Sequence, residues 1–288
     1  MLHPDVKEFF DHDTFTWSYI VYSKNSNNKK CAIIDSVLGY DISSGRTNTK
    51  SADLIINFIE ENGLDLEWIL ETHIHADHLT AAQYIKSKLG GKTAISKHII
   101  KVLKTWIPIL NIQDDTPDDG SQFDHIFEDD ELFNIGDLKA QVIHTPGHTP
   151  ADTSYIIGNS IFVGDAMFLP DVGTGRCDFP DGSSRDSYIS SQKLLSLPDD
   201  YIMYVGHDYP PAGRSPESNA TIIEQKTENI RINKLITKDE YITKRDSDDK
   251  GKPVPKLLLP SIQVNLRAGD FGKKSNGTQY IKIPIDMV

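Results

Sequence analysis

Four potential metal ligands fall within six residues at His73-Ile74-His75-Ala76-Asp77-His78. First-row metals need such convergence, because each imidazole or carboxylate must be deprotonated and held at about 2 Å from the ion. In a loop leaving a strand, His73 and His75 are two apart and can point the same way, while Asp77 and His78 are offset by the start of a following helix. A lone histidine in a loop is most simply a polar residue facing water; four such groups in one short run favour a metal. Three further residues join them. Thr145-Pro146-Gly147-His148-Thr149-Pro150 is a Pro/Gly-locked turn that presents His148 rigidly, in a conformation already ordered for a ligand. Asp165 follows the apolar run Ile161-Phe162-Val163-Gly164, and His207 follows the run 202–205, positions where a sheet delivers side chains to its active edge.

The elements that must position these groups follow from periodicity. Residues 16–23 and 30–34 are rich in aromatic and β-branched side chains around a polar turn and read as an opening β-hairpin. Ala52, Ile55, Ile56 and Ile59 recur at helical spacing and stop at Asn62-Gly63. A strand over 67–71 leads into the histidine cluster, after which Leu79, Ala82, Ile85 and Leu89 mark an amphipathic helix closed by Gly90-Gly91. Short strands are expected at 93–95, 137–144, 153–157 and 160–163, with Gly158-Asn159 as a two-residue turn. A helix and strand follow over 185–205, and one helix over 216–230. Residues 113–120 and 244–256 read as solvated insertions, and 280–285 alternates like a strand.

With 288 residues the chain is expected to fold as a single domain over 1–288, with a short C-terminal extension at 270–288. The formal net charge of −12 repels phosphate backbones and anionic lipid, so neither nucleic acid nor a membrane is an expected partner. Only Cys31 and Cys177 occur, and both read as free thiols in a reducing compartment; with no export or transit signal at the N-terminus, a cytoplasmic location is expected.

HIHADH, PGHT, GDA and GHDY, in this order and at strand ends, resemble the metallo-β-lactamase superfamily, whose α/β fold is an αββα four-layer sandwich with metal at one sheet edge. Residues 171–180 (DVGTGRCDFP), Gly206-His207-Asp208-Tyr209 and 259–269 (LPSIQVNLRAG) are similar to the persulfide dioxygenases and to the β-lactamase-hydrolase-like proteins of sulfide-responsive operons. That resemblance implies one Fe(II) per chain held by His73, His148 and Asp165, with His75, Asp77, His78 and His207 around it. It also implies oxidation of a glutathione-like persulfide by dioxygen to sulfite and free thiol, and a homodimer is common in such proteins. Two histidines and a carboxylate on one face leave coordination positions for both reactants.

The superfamily's hydrolases resemble the same residues but fill two zinc sites, His73, His75 and His148 at one and Asp77, His78 and His207 at the other, with Asp165 bridging. A glyoxalase II-like zinc hydrolase of glutathione thioesters is therefore the alternative, disfavoured by the single helix expected after His207. A non-enzymatic metal-binding sensor or sulfur-carrier partner is a third reading. Because glutathione carries carboxylates, Arg176 and Arg214 are the expected guanidinium forks, with Tyr209 as a hydroxyl donor. Cys177 is read as a space-filling thiol.

Overall fold

The computed structural model describes residues 3–211 and 213–287. The chain begins with β1 (Asp5–Asp11), β2 (Thr16–Tyr22) and β3 (Lys30–Ile34), all antiparallel. The hairpin expected over 16–34 is present, but β1 precedes it; its sequence DVKEFFD has no clean period-two alternation and stays half-buried at the sheet edge. After β4 (Val37–Asp41) and β5 (Arg46–Asn48), α1 (Lys50–Glu61) buries Ala52, Ile55, Ile56 and Ile59 and ends at Asn62, with Gly63 at φ +59°.

Strand β6 (Asp65–Leu70) runs parallel to β3 and carries the chain into the histidine loop. The helix expected directly after that loop starts later. Leu79–Thr80 forms the two-residue strand β7 paired with Val37 and Leu38, and α2 (Ala82–Leu89) follows it. Leu79 is buried in the same apolar cluster as Ala82 and Ile85, so its spacing mimicked a helical face while its backbone was engaged in a sheet. The first half closes with β8 (Lys92–Ser96), α3 (Ile99–Leu110) and β9 (His125–Phe127). Helix α3 was not among the expected elements, although Ile99, Val102, Leu103, Trp106, Ile107 and Leu110 form its buried face at helical spacing.

The second half contains β10 (Leu132–Ile135), β11 (Leu138–His144), β12 (Thr153–Ile157) and β13 (Ser160–Phe162), then α4 (Ser184–Leu195) and β14 (Ile202–Tyr204). It ends with β15 (Asn219–Thr221), α5 (Ile222–Glu228), α6 (Lys238–Asp249) and α7 (Leu258–Asn265). The single helix expected over 216–230 is thus a short strand and a two-turn helix, and the supposed solvated connection at 244–256 begins inside α6, which runs to Asp249. That helix is capped by Thr237 and Glu240 and buries only Tyr241, Arg245 and Asp249, one face every fourth residue, too polar to show as an apolar stripe. Residues 280–285 form no strand; Gln263 instead exchanges hydrogen bonds with the backbone of Lys282.

One six-stranded sheet has the order β1-β2-β3-β6-β8-β9, and the other β10-β11-β12-β13-β14-β15. Their inner faces meet in a core that joins Tyr19, Val21, Ile34 and Phe127 to Val142, Tyr155, Phe162 and Tyr204. The outer face of the first sheet is covered by α1 and α2, and that of the second by α4, α5 and α6. This is the αββα sandwich.

Candidate metal centre

All seven clustered candidates reach one edge of the sandwich, delivered by β6, by the turn after β11, and by the ends of β13 and β14. The ligand atoms of His73, His148 and Asp165 lie within 4.8 Å of one another, as do those of His75, Asp77 and His78. His207 closes the ring, with Nε2 3.3 Å from Asp77 and 3.4 Å from Asp165.

The hydrogen-bond partners decide which nitrogen of each ring faces inward. Thr72 donates its hydroxyl hydrogen to Asp35 Oδ2 at 2.8 Å, so the 3.0 Å contact between Thr72 Oγ1 and His73 must be donated by His73 Nδ1. That leaves the lone pair on His73 Nε2, which is buried without a partner. His148 Nδ1 donates to the Arg176 carbonyl at 2.6 Å, which turns Nε2 toward Asp165 at 3.5 Å. His75 Nε2 donates to Asp35 at 3.1 Å with Glu71 3.2 Å away, leaving Nδ1 buried and unpartnered. His207 Nδ1 donates to the Phe15 carbonyl at 3.2 Å. Carboxylate and carbonyl partners of this kind fix the tautomers of metal-binding histidines.

Charge follows the same pattern. Burial, with His75 and His148 alongside, pushes His73 well below the usual histidine range, so its imidazole is neutral and offers a lone pair. Burial opposes charge on His75 too, but Asp35 and Glu71 hold it well above that range. Burial likewise opposes charge on His207, which Asp165 and Asp77 hold above its ordinary value, and the two histidines His207 and His78 keep Asp77 well below the carboxylate range against its own desolvation. With His73 Nε2, His75 Nδ1, His78 Nε2 and Asp165 Oδ1 buried and unpartnered, the donor set fits one or two first-row metal ions.

Close packing holds these groups in register. Gly164 has φ +50°, and a Cβ there would come within 2.3 Å of Thr72 Oγ1 and 3.3 Å of His73 Nδ1. The His148 turn is tied by Asp152, which accepts the Thr149 N–H at 2.8 Å, and by Ser183, which donates its backbone N–H to the Gly147 carbonyl. Asn265 at the end of α7 donates to the carbonyls of His75 and His78 and accepts the Thr80 N–H, each at 2.8 Å. Neither Asn265 nor Asp35 was among the sequence candidates. Asp35 had a usable signal, since it ends the apolar strand β3 as Asp165 ends the run after β13.

A cavity of about 590 Å³ opens on Asp77, His148 and Asp165, with Phe15, Phe168, Phe179 and Tyr209 among its walls. The Tyr209 ring lies parallel to His207 with centroids 5.7 Å apart. Arg176 lines the cavity, but its guanidinium is forked onto Asp178 and also donates to the Pro253 carbonyl. Arg214 lies outside the lining; it clamps the fully buried Asp208 through two 2.8 Å bonds and reaches Asp171. Burial pushes the Cys177 thiol up to about 12, so it is an inert thiol, in keeping with a space-filling role.

Residues 13–207 match the metallo-beta-lactamase superfamily, and the chain belongs to that superfamily, whose members bind metal ions. It is 51% identical over 284 residues to Glyoxylase B2 of Dictyostelium discoideum, covering 98% of this chain and 97% of that protein. A Beta-lactamase hydrolase-like protein of Xylella fastidiosa is 44% identical over 98% of this chain, which spans only 65% of that relative's length. Human Persulfide dioxygenase ETHE1, mitochondrial, is 26% identical over 92% of this chain and 88% of its own. Among solved structures, ETHE1 from Myxococcus xanthus superposes with a TM-score of 0.73 at 26% identity, covering 92% of this chain and all of that one. The protein is a metallo-β-lactamase superfamily enzyme. No helix among the described residues is long and apolar enough to cross a membrane.

Proposed function

We propose that the chain is a non-haem iron persulfide dioxygenase, with His73, His148 and Asp165 as the iron ligands. The observation that carries this reading is the convergence of two oriented imidazoles and one carboxylate at the base of a wide cavity, two histidines and a carboxylate being the ligand set of open-sided iron sites. The persulfide dioxygenases among its relatives support it. Bound iron would supply the electron-transfer chemistry that lets dioxygen react with a sulfur anion.

The chain's own residues do the rest. Asp35, acting through Thr72, keeps the His73 lone pair facing inward and directly fixes the His75 ring, and the Arg176 carbonyl turns the His148 lone pair inward. Phe168, Phe179 and Tyr209 wall off water around the reacting sulfur, and Arg176 and Tyr209 flank the organic half of the substrate. The proposed substrate is a glutathione-type persulfide. Both atoms of dioxygen end on the outer sulfur, water supplies the third oxygen of sulfite, and the S–S bond breaks to return the thiol. Iron-loaded protein is expected to consume oxygen and release sulfite only when a persulfide is supplied; bound iron without such consumption removes the reading.

A second reading has its own support. His75, Asp77 and His78 form another ligand triad with inward atoms, and the 51% identical relative is named a glyoxylase, both of which suit a binuclear zinc hydrolase of glutathione thioesters. The presence of α6 and α7 after His207 also weakens the sequence argument against it. Two zinc ions per chain with thioester cleavage and no oxygen uptake decides for the hydrolase.

A further inference from the structure

The cavity above the metal centre is lined by five cations, Arg176, Arg231, Arg245, Lys252 and Lys256, in a chain of net charge −12. Four are already answered by carboxylates. Arg176 holds Asp178, Arg231 holds Asp248, and the buried Arg245 is paired with Asp249, which also takes Lys252 at 2.9 Å. Lys256 is exposed and, among the described residues, has no hydrogen bond and no carboxylate within 4.0 Å. Its field reaches Asp41 only weakly: that carboxyl is lowered first by the Ser44 and Ser43 backbone N–H groups, with Lys256 the last contributor.

Lys256 is exposed and lines both the cavity and the neighbouring groove beside Tyr280 and Ile283. Its backbone lies next to Pro255 and two residues before α7, so the stem is rooted in an ordered segment while the ammonium remains free. One mobile, strongly hydrated point charge suits a monovalent anion; the bidentate forks that would select a phosphate are spent on aspartates.

We infer that Lys256 is the specificity-determining residue of this site, binding a carboxylate at the far end of a thiol carrier whose sulfur faces the histidine cluster. The inference rests on the proposed thiol-borne substrate, persulfide or thioester, and shifts anionic recognition from the two expected arginines to a lysine. A single exposed ion pair of this kind changes affinity by about fivefold.

The test compares metal-loaded wild type with Lys256→Ala, Lys256→Arg and Lys256→Glu by calorimetric titration with glutathione and with glutathione dimethyl ester, whose carboxylates are blocked. Glutathione is expected to bind Lys256→Ala about fivefold more weakly and Lys256→Glu more weakly still, with Lys256→Arg restored and the ester indifferent to all three. In turnover of glutathione persulfide the alanine variant raises KM and leaves kcat unchanged. Equal affinity of wild type and Lys256→Ala for glutathione overturns the inference, as do an equal loss for the ester and a failure of wild type to bind glutathione. If the glutathione-specific loss is seen while no persulfide drives oxygen uptake, Lys256 keeps its role and the dioxygenase reading is the one that falls.

Discussion

The floor and the rim of the cavity both carry charged groups, and they are satisfied in opposite ways. On the floor, each of His73 and His75 has one ring nitrogen fixed by the Asp35–Thr72 pair and the other buried with no partner. On the rim, Arg176, Arg231 and Arg245 have aspartates of their own, and α6 is tied to the 171–180 loop by Asp249, which accepts the Cys177 N–H, and by Arg245, which donates to the Thr174 carbonyl. A buried polar atom left unpaired costs about 1–3 kcal/mol, so four of them in one cluster mark a place built for something the chain itself does not supply. A paired guanidinium, by contrast, is already engaged in structure. Lining a cavity does not by itself make a charged residue available to a substrate.

Breaking the floor gives the largest effects. Asp165→Ala is expected to abolish both metal retention and turnover, read by elemental analysis of the purified protein and by oxygen uptake. Asp35→Ala should lower metal affinity about 10- to 100-fold, since it frees the tautomers of His73 and His75. It should also cost about 3 kcal/mol in denaturant melts, because His75 and the Thr72 N–H and hydroxyl lose their buried acceptor. Unchanged metal affinity in Asp35→Ala would dissolve the distinction drawn between the two regions.

Outside the cavity, Arg214→Ala should act on stability and not on substrate. It strands the buried Asp208 carboxylate, at a cost of about 2 kcal/mol, while KM stays at the wild-type value. A raised KM would return Arg214 to the substrate site.

Protons distinguish the two halves of the floor. His73 is held neutral by burial, whereas Asp165 and Asp77 overcome the burial of His207 and hold it above its ordinary value. Protonated His207 therefore stabilises the metal-free fold fully below the usual histidine range, and that contribution is lost as pH rises through the raised value. An ion that recruits His207 must displace its proton near neutral pH, so its affinity climbs with pH, while an ion confined to His73, His148 and Asp165 displaces none from His73. Calorimetry in buffers of different ionisation enthalpy counts those protons, and about two per chain, one each from His75 and His207, would favour the two-metal arrangement. The smallest effect belongs to Asp248, which Lys244 and Arg231 hold down to about 2. Its stabilising pair is present above the ordinary carboxylate range and fades as pH falls toward that value; because the pair is solvent-screened, Asp248→Asn should cost only a few tenths of a kcal/mol near neutral pH.

Much of the fold was legible where one face repeats. The buried face of α1, the β2–β3 and β12–β13 hairpins and the strand before the histidine loop follow from apolar period and turn residues. What escaped did so for identifiable reasons. Strand β7 is two residues long and its apolar Leu79 continues a helical spacing; α6 buries an arginine and an aspartate that satisfy each other; β1 is a mixed-charge edge strand.

The residue types and their placement at strand ends determined the candidate metal-ligand set, because ligand chemistry admits few side chains and a strand end presents them locally. Which nitrogen of each histidine is free, and which cation of the cavity is unspent, were decided only by the tertiary structure. Those outcomes depend on partners far apart in the chain: Asp35 acts on Thr72 across 37 residues, Asn265 reaches the His75 carbonyl across 190, and Asp249 meets the 174–177 loop across 72. A hydrogen bond has a direction and a single proton to give, and only the folded chain settles who receives it.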